Sequence, residues 1–188
     1  MPKILGESLA AHRQQVRAKV FDAVRSLLYT RGFDGITLSG VASEAGVGRS
    51  AIYNHFPDRE ALLVAFVEHE TAEYVTRLHS ELASVTDPVE ALAMFARMHV
   101  EVMIGRHTPP GQQMDAVLSP EAYARMAEHV EPITTQLREI LTAGISAGQM
   151  AGEDVDALVR MIMAALAAAG EVEPAVRFVL RSTGVRLT

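Results

Sequence analysis

The stretch TLSGVASEAGVGRSAIYNHF, residues 37–56, decides the fold. Leu38, Val41, Ala42 and Ala45 recur at spacings of three and four, the apolar stripe of a short helix. Thr37 stands before them with a hydroxyl suited to cap that helix. Gly46 ends it, and after Val47 and Gly48 the residues Ala51, Ile52, Tyr53 and Phe56 mark a second short helix. Pro57 closes that one, because the residue before a proline avoids helical geometry. Two short helices joined by a glycine-containing turn make a helix-turn-helix, a unit that lays its second helix in the major groove of DNA. Ile52 and Phe56 form the anchoring face of the second helix, which leaves Arg49, Ser50 and Asn54 facing outward.

Upstream, Val16, Val20, Val24, Leu27 and Leu28 repeat at helical spacing, so a first helix runs from about Ala11 to Arg31, and Gly32 stops it. Downstream, Asp58 caps a longer fourth helix carrying Leu62, Leu63, Phe66, Val67, Tyr74 and Leu78 to about Ser84. Five more helices follow: Val89 to Arg106, Gly111 to Leu118, Glu121 to Ala147, Asp154 to Ala169 and Val172 to Ser182. Pro132 kinks or splits the third of these. Strand-like alternation is absent, and alanine, leucine and methionine dominate the later segments. The expected fold is all-α with about nine helices: a three-helix helix-turn-helix domain over residues 1–57, then a helical ligand-binding and dimerisation domain over 58–188.

Side-chain chemistry assigns roles at the surface of the first domain. Arg49 offers a guanidinium fork to guanine O6 and N7, and Asn54 suits adenine, each good bidentate pair contributing about 1 to 3 kcal/mol of discrimination. Tyr53, His55, Thr37 and Arg59 are suited to phosphate oxygens, the last two at helix starts where free backbone N–H groups favour anions. Charge follows the same division. Residues 1–60 hold eight Lys or Arg against six Asp or Glu, whereas 61–188 hold nine against seventeen, within an overall charge of −6. Arg13, Arg17, Lys19, Arg25 and Arg31 face only Asp22 over residues 12–31, a local excess placed near a phosphate backbone or, equally, on a solvated helix face.

Gly32-Phe33, Ile36-Thr37, Val41-Ala42, Ala45-Gly46-Val47, Ala51-Ile52-Tyr53, His55-Phe56 and Arg59 to Leu63 occur in the order and spacing of the N-terminal domain of TetR-family repressors. The resemblance spans residues 16–66 without a gap. It implies ligand-relieved transcriptional repression by a homodimer on a palindromic, double-stranded operator. It also implies that Thr37, Arg49, Ser50, Tyr53, His55 and Arg59 lie at the DNA surface, with Gly48 beside them at the start of the second short helix. Gly48 stands where such sequences often have a serine or threonine, Gly40 replaces a frequent acidic residue, and Arg59 replaces a lysine, which keeps the charge but changes its hydrogen-bonding geometry.

The rest of the chain resembles that family only in outline. Eight of the nine methionines lie beyond residue 90, and flexible thioethers suit an adaptable apolar pocket as well as an ordinary core. Met94, Met98, Met103 and Met126 are the apolar candidates for holding a small apolar or amphipathic effector. Arg97, His99, Gln113, Tyr123 and His129 are the polar groups to orient it. Pro109-Pro110-Gly111 opens a short helix placed to shift when the ligand enters. Leu158, Met161, Ile162, Ala165, Leu166 and Ala169, with Val176, Val179 and Leu180, provide an apolar surface for a two-fold contact through helices 154–169 and 172–182, or for a monomeric core.

Composition removes other classes. There is no cysteine, so disulfides and thiolate chemistry are excluded, and a cytoplasmic location fits that usage. The longest apolar stretch, Met161 to Ala169, is too short to span a membrane. Gly144-Ile145-Ser146-Ala147-Gly148 has the spacing of a hydrolase nucleophile turn. It follows a helical run, however, and no histidine lies beyond His129. No zinc-protease or di-iron spacing occurs, and no enzyme activity or cofactor is expected. The rival reading is a helical ligand-binding or dimerisation protein with no specific DNA target, whose signature is ligand binding without salt-sensitive operator binding.

Overall fold

A computed structural model of the chain describes residues 3–105 and 119–186. They form eight α-helices: α1 Lys3–Arg31, α2 Leu38–Ala45, α3 Arg49–His55, α4 Arg59–Leu82, α5 Pro88–Gly105, α6 Pro120–Ser146, α7 Val155–Ala167 and α8 Val172–Ser182. A 3-10 turn at Phe33–Gly35 joins α1 to α2, and no strand occurs among the described residues. The all-α expectation holds. The helix expected at 111–118, with its Pro109-Pro110-Gly111 opening, lies outside the described residues.

Helix starts follow the capping chemistry of the sequence. The side chains of Asp58, Asp87 and Asp154 accept hydrogen bonds from the backbone N–H groups of Ala61, Glu90 and Ala157, at 2.7, 3.2 and 2.9 Å. Each satisfies a donor that the first helical turn leaves unpaired. Two features depart from expectation. α1 begins at Lys3 rather than near Ala11, because Leu5, Leu9 and Ala10 favour helix and only Gly6 opposes it. Pro132 does not divide α6. A single missing N–H is tolerated there because Ile133, Leu137, Ile140 and Leu141 bury one stripe of the helix along the turns that follow.

The chain clusters into two compact units. Among the described residues, the first comprises everything up to His69 together with 119–126; the second comprises 70–105 and 127–186. In the first, α1 packs on α2 and α2 on α3, around Val20, Val24, Ile36, Val41, Ile52 and Leu62, all fully buried. In the second, α5 packs against α7 and α8 around Leu92, Phe95, Leu137, Leu141, Leu166 and Val179.

The hydrolase-like spacing at 144–148 is the end of a helix. Gly148 takes a left-handed conformation (φ 70°), and the Gly144 carbonyl accepts from Gln149 and Met150 N–H at 2.9 and 3.1 Å. A Cβ on Gly144 would lie 2.5 Å from Met150 Sδ, so the first glycine serves close packing.

Candidate nucleic-acid interface

Thr37 starts the helix-turn-helix in extended backbone, and its Oγ1 accepts from Gly40 N–H at 3.0 Å. At the other end of α2, Gly46 is left-handed (φ 64°). Its N–H bonds to the Ser43 carbonyl and that of Val47 to the Ala42 carbonyl, so two terminal acceptors are satisfied while the chain turns. Gly48 then leads into α3 without a side-chain cap. Nothing lies within 4 Å of a Cβ built on Gly48, so the surface there is open.

α3 is two-faced. Ile52 is fully buried and Phe56, at the helix end, is 2% exposed, with its ring centroid 5.9 Å from that of Phe21 on α1. Arg49, Ser50, Tyr53 and Asn54 are exposed. An exposed tyrosine on a helix otherwise anchored by apolar residues is the one large ring of α3 that the core does not use. Arg49 makes no ion pair among the described residues, so its guanidinium fork is available to a base edge.

The remaining members of the expected DNA surface differ from one another. Thr37 is exposed, with its hydroxyl already engaged as a cap. His55 is half-buried, and its pKa is lowered by burial and then by the nearby charges of Arg17, Arg13 and His12. Arg59 turns inward. Its Nη2 donates to the Phe33 carbonyl, tying the start of α4 to the 3-10 turn, and its buried Nε has no hydrogen-bond partner. Two further features have no signature in the sequence. Arg17 lies over both Phe21 and Phe56, its guanidinium carbon 5.2 and 5.4 Å from the ring centroids. Glu60 accepts from the backbone N–H and the hydroxyl of Ser119 at 2.9 and 2.8 Å, while Ser119 Oγ accepts from Ala122 N–H. The start of α6 is thereby fastened to the first turn of α4. The only sequence signal at Glu60 is a charge in a first turn, which does not name a partner fifty-nine residues away.

In the second unit, His99 is 4% exposed. Its Nδ1 is 3.3 Å from Tyr74 Oη, and its ring stacks on Phe95 with 4° between the planes. Met94, Met98 and Met103 are half-buried on the same helix. Arg97 is exposed and pairs with Glu173 of α8; that hydrogen bond raises the pKa of Arg97 and lowers that of Glu173. Gln113 lies outside the described residues, as do the side chains of Tyr123, Met126 and His129.

A model of the tetR family of bacterial regulatory proteins matches residues 20–66, and one of the tetracyclin repressor-like C-terminal domain matches residues 85–171. This chain belongs to the TetR family. The first match runs from within α1 through α2 and α3 into α4, so the TetR signature coincides with the two-faced helix and its supports. The HTH-type transcriptional regulator AlkX of Mycobacterium tuberculosis is 40% identical over 72 residues, covering 38% of this chain and 34% of AlkX. The fatty acid metabolism regulator protein of Bacillus subtilis is 24% identical over 134 residues, covering 70% of this chain and 69% of that protein. The structure of the transcriptional regulator FadR from Bacillus subtilis in complex with stearoyl-CoA has the same fold, with a TM-score of 0.70 at 22% identity over 88% of each chain. The match spans about a third of the length of AlkX and 42% of the second curated relative. TetR-family proteins of this kind are transcriptional regulators, not enzymes, and no described helix is long and apolar enough to cross a membrane.

Proposed function

We propose that this TetR-family chain is a ligand-responsive transcriptional repressor, binding a palindromic operator as a homodimer and leaving it when an amphipathic effector is bound. The observation that carries this reading is the division of α3: Ile52 and Phe56 fix it in the core, while Arg49 and Ser50 in its first turn and Tyr53 and Asn54 further along stand exposed. A face of that composition, on a helix held rigidly by its other side, supports base readout in a major groove. Thr37, Gly48 and His55 surround it as positions facing the DNA backbone, while Arg59, turned inward to the Phe33 carbonyl, supports the start of α4 beneath them. Residues 1–57 are the DNA-binding domain and 58–188 the effector and dimer domain.

For the effector, the reading is a long-chain acyl-CoA. The fatty-acid regulator relatives support it, one of them solved with stearoyl-CoA. So does the composition of α5, where half-buried Met94, Met98 and Met103 flank a buried His99–Tyr74 pair that supplies the polar group an apolar pocket needs for orientation. Release is routed through α4 and α6, because each begins in the first unit and ends in the second and their starts are joined by Glu60 and Ser119.

The dimer forms through α7 and α8. Met161 and Phe178 are 61% and 57% exposed although their helices are otherwise anchored inward by Ile162, Leu166, Val176 and Val179. An open apolar groove of about 380 Å³ beside Phe178, lined by Ala165, Ala169 and Pro174, gives a partner helix room to approach.

The test is titration of stearoyl-CoA into the protein bound to a fluorescent duplex enriched from a random-sequence pool. Release of the duplex is expected, with thermal stabilisation of the free protein equivalent to about 2.7 kcal/mol at a ligand concentration one hundred times Kd. Duplex binding that is indifferent to stearoyl-CoA, with no rise in Tm, overturns the effector assignment. Failure to enrich any sequence overturns the operator reading.

A further inference from the structure

The function proposed above uses the α2–α3 face and leaves a cationic cluster on α1 unexplained. Arg13 and Arg17 are one helical turn apart and so share a face of α1, with His12 beside them. Arg17 rests over Phe21 and Phe56. The Phe56 ring is also 6.1 Å from that of His55, so the cluster adjoins the C-terminal end of α3. Arg13 and His12 are exposed, and Arg17 is half-buried against the rings. None of the three is paired with a carboxylate among the described residues, and Asp22 further along the same helix is taken by Arg25. The charges act together at one place: Arg17, Arg13 and His12 all disfavour a proton on His55. Gathering like charges without a counter-ion costs free energy that an arriving polyanion recovers. Stacking on two rings also fixes the Arg17 guanidinium in advance, so little side-chain freedom remains to be given up when a phosphate binds.

We infer that Arg13 and Arg17, with His55, form a second phosphate-binding line built on α1, which grips the DNA backbone beside the groove that α3 enters. The line rests on the operator reading for its biological target. Its chemistry requires only duplex phosphates, so it is tested separately from sequence recognition. It positions the duplex and carries no base preference.

The experiment measures the affinity of the full chain for a mixed-sequence 30-base-pair duplex and for a duplex enriched from a random pool, between about 50 and 200 mM KCl, by fluorescence anisotropy. Removing one protein–phosphate interaction shallows the plot of log K against log salt by about 0.9, so Arg13→Gln in a two-fold dimer is expected to shallow it by about 1.8 and the Arg13→Gln/Arg17→Gln pair by about 3.6. Affinities of variant and wild type converge at high salt, and the ratio between enriched and mixed duplexes is unchanged. Arg17→Lys keeps the slope, because it keeps the charge. Arg13→Gln removes an exposed side chain, so its Tm matches that of the wild type and its slope is decisive even where Arg17→Gln unfolds. A wild-type slope in Arg13→Gln overturns the phosphate line. A shallower slope on both duplexes with no enriched sequence obtainable supports the line and overturns the operator reading instead.

Discussion

Phe56→Ala is expected to lose about 3–5 kcal/mol of stability and, with it, DNA binding at physiological temperature. The ring is 2% exposed, packs 5.9 Å from Phe21 and carries the Arg17 guanidinium on its face. Its removal leaves a cavity where α1 and the end of α3 meet, and α3 is only seven residues long. A helix so short has no independent stability and holds its shape through packing alone. Small domains are stable by about 5–15 kcal/mol, so the loss is a large share of what the N-terminal unit has. Urea unfolding followed by circular dichroism measures it. A change below about 1 kcal/mol would show that the end of α3 is not held by this core.

The second large effect concerns assembly. The Met161→Glu/Phe178→Glu pair is expected to turn dimers into monomers at micromolar concentration, because it places two carboxylates on exposed apolar positions that the proposed two-fold contact buries. Both side chains are outside the core, so the monomer keeps its helical content. Operator affinity should fall by a factor of about 10² or more, since one protomer no longer holds the other at the second half-site. Sedimentation velocity reads the mass directly. A variant that remains dimeric places the two-fold contact elsewhere.

Local chemistry made the N-terminal unit legible in the sequence. Thr37, Gly46 and Asp58 each have one dominant structural use, and the structure shows all three in it. The alternation within α3 was equally plain, because a seven-residue helix can bury only one face, and Ile52 and Phe56 were the apolar residues available. Long-range contacts were not legible. Nothing in the local pattern around Arg59 reveals that its guanidinium reaches the Phe33 carbonyl, or that Arg17 lies over Phe56, because such contacts depend on how helices cross. The 3-10 turn at Phe33–Gly35 has a three-residue signal too short to separate from an ordinary loop. On α5, Arg97 has the composition of a pocket residue, yet it pairs with Glu173 at the surface, since charge alone does not say which way a helix faces. His99 has the same ambiguity and the opposite outcome, buried against Tyr74 and Phe95.

The central claim is that the exposed edge of α3 reads DNA sequence. The most direct measurement compares the affinities of wild type and Arg49→Ala for the enriched duplex and for a scrambled duplex of the same composition, at one fixed salt concentration. Wild type should prefer the enriched duplex, and Arg49→Ala should lose about 1–3 kcal/mol of that preference per half-site while binding the scrambled duplex nearly as before. Equal affinity of the wild type for both duplexes, or an unchanged preference in Arg49→Ala, would contradict it.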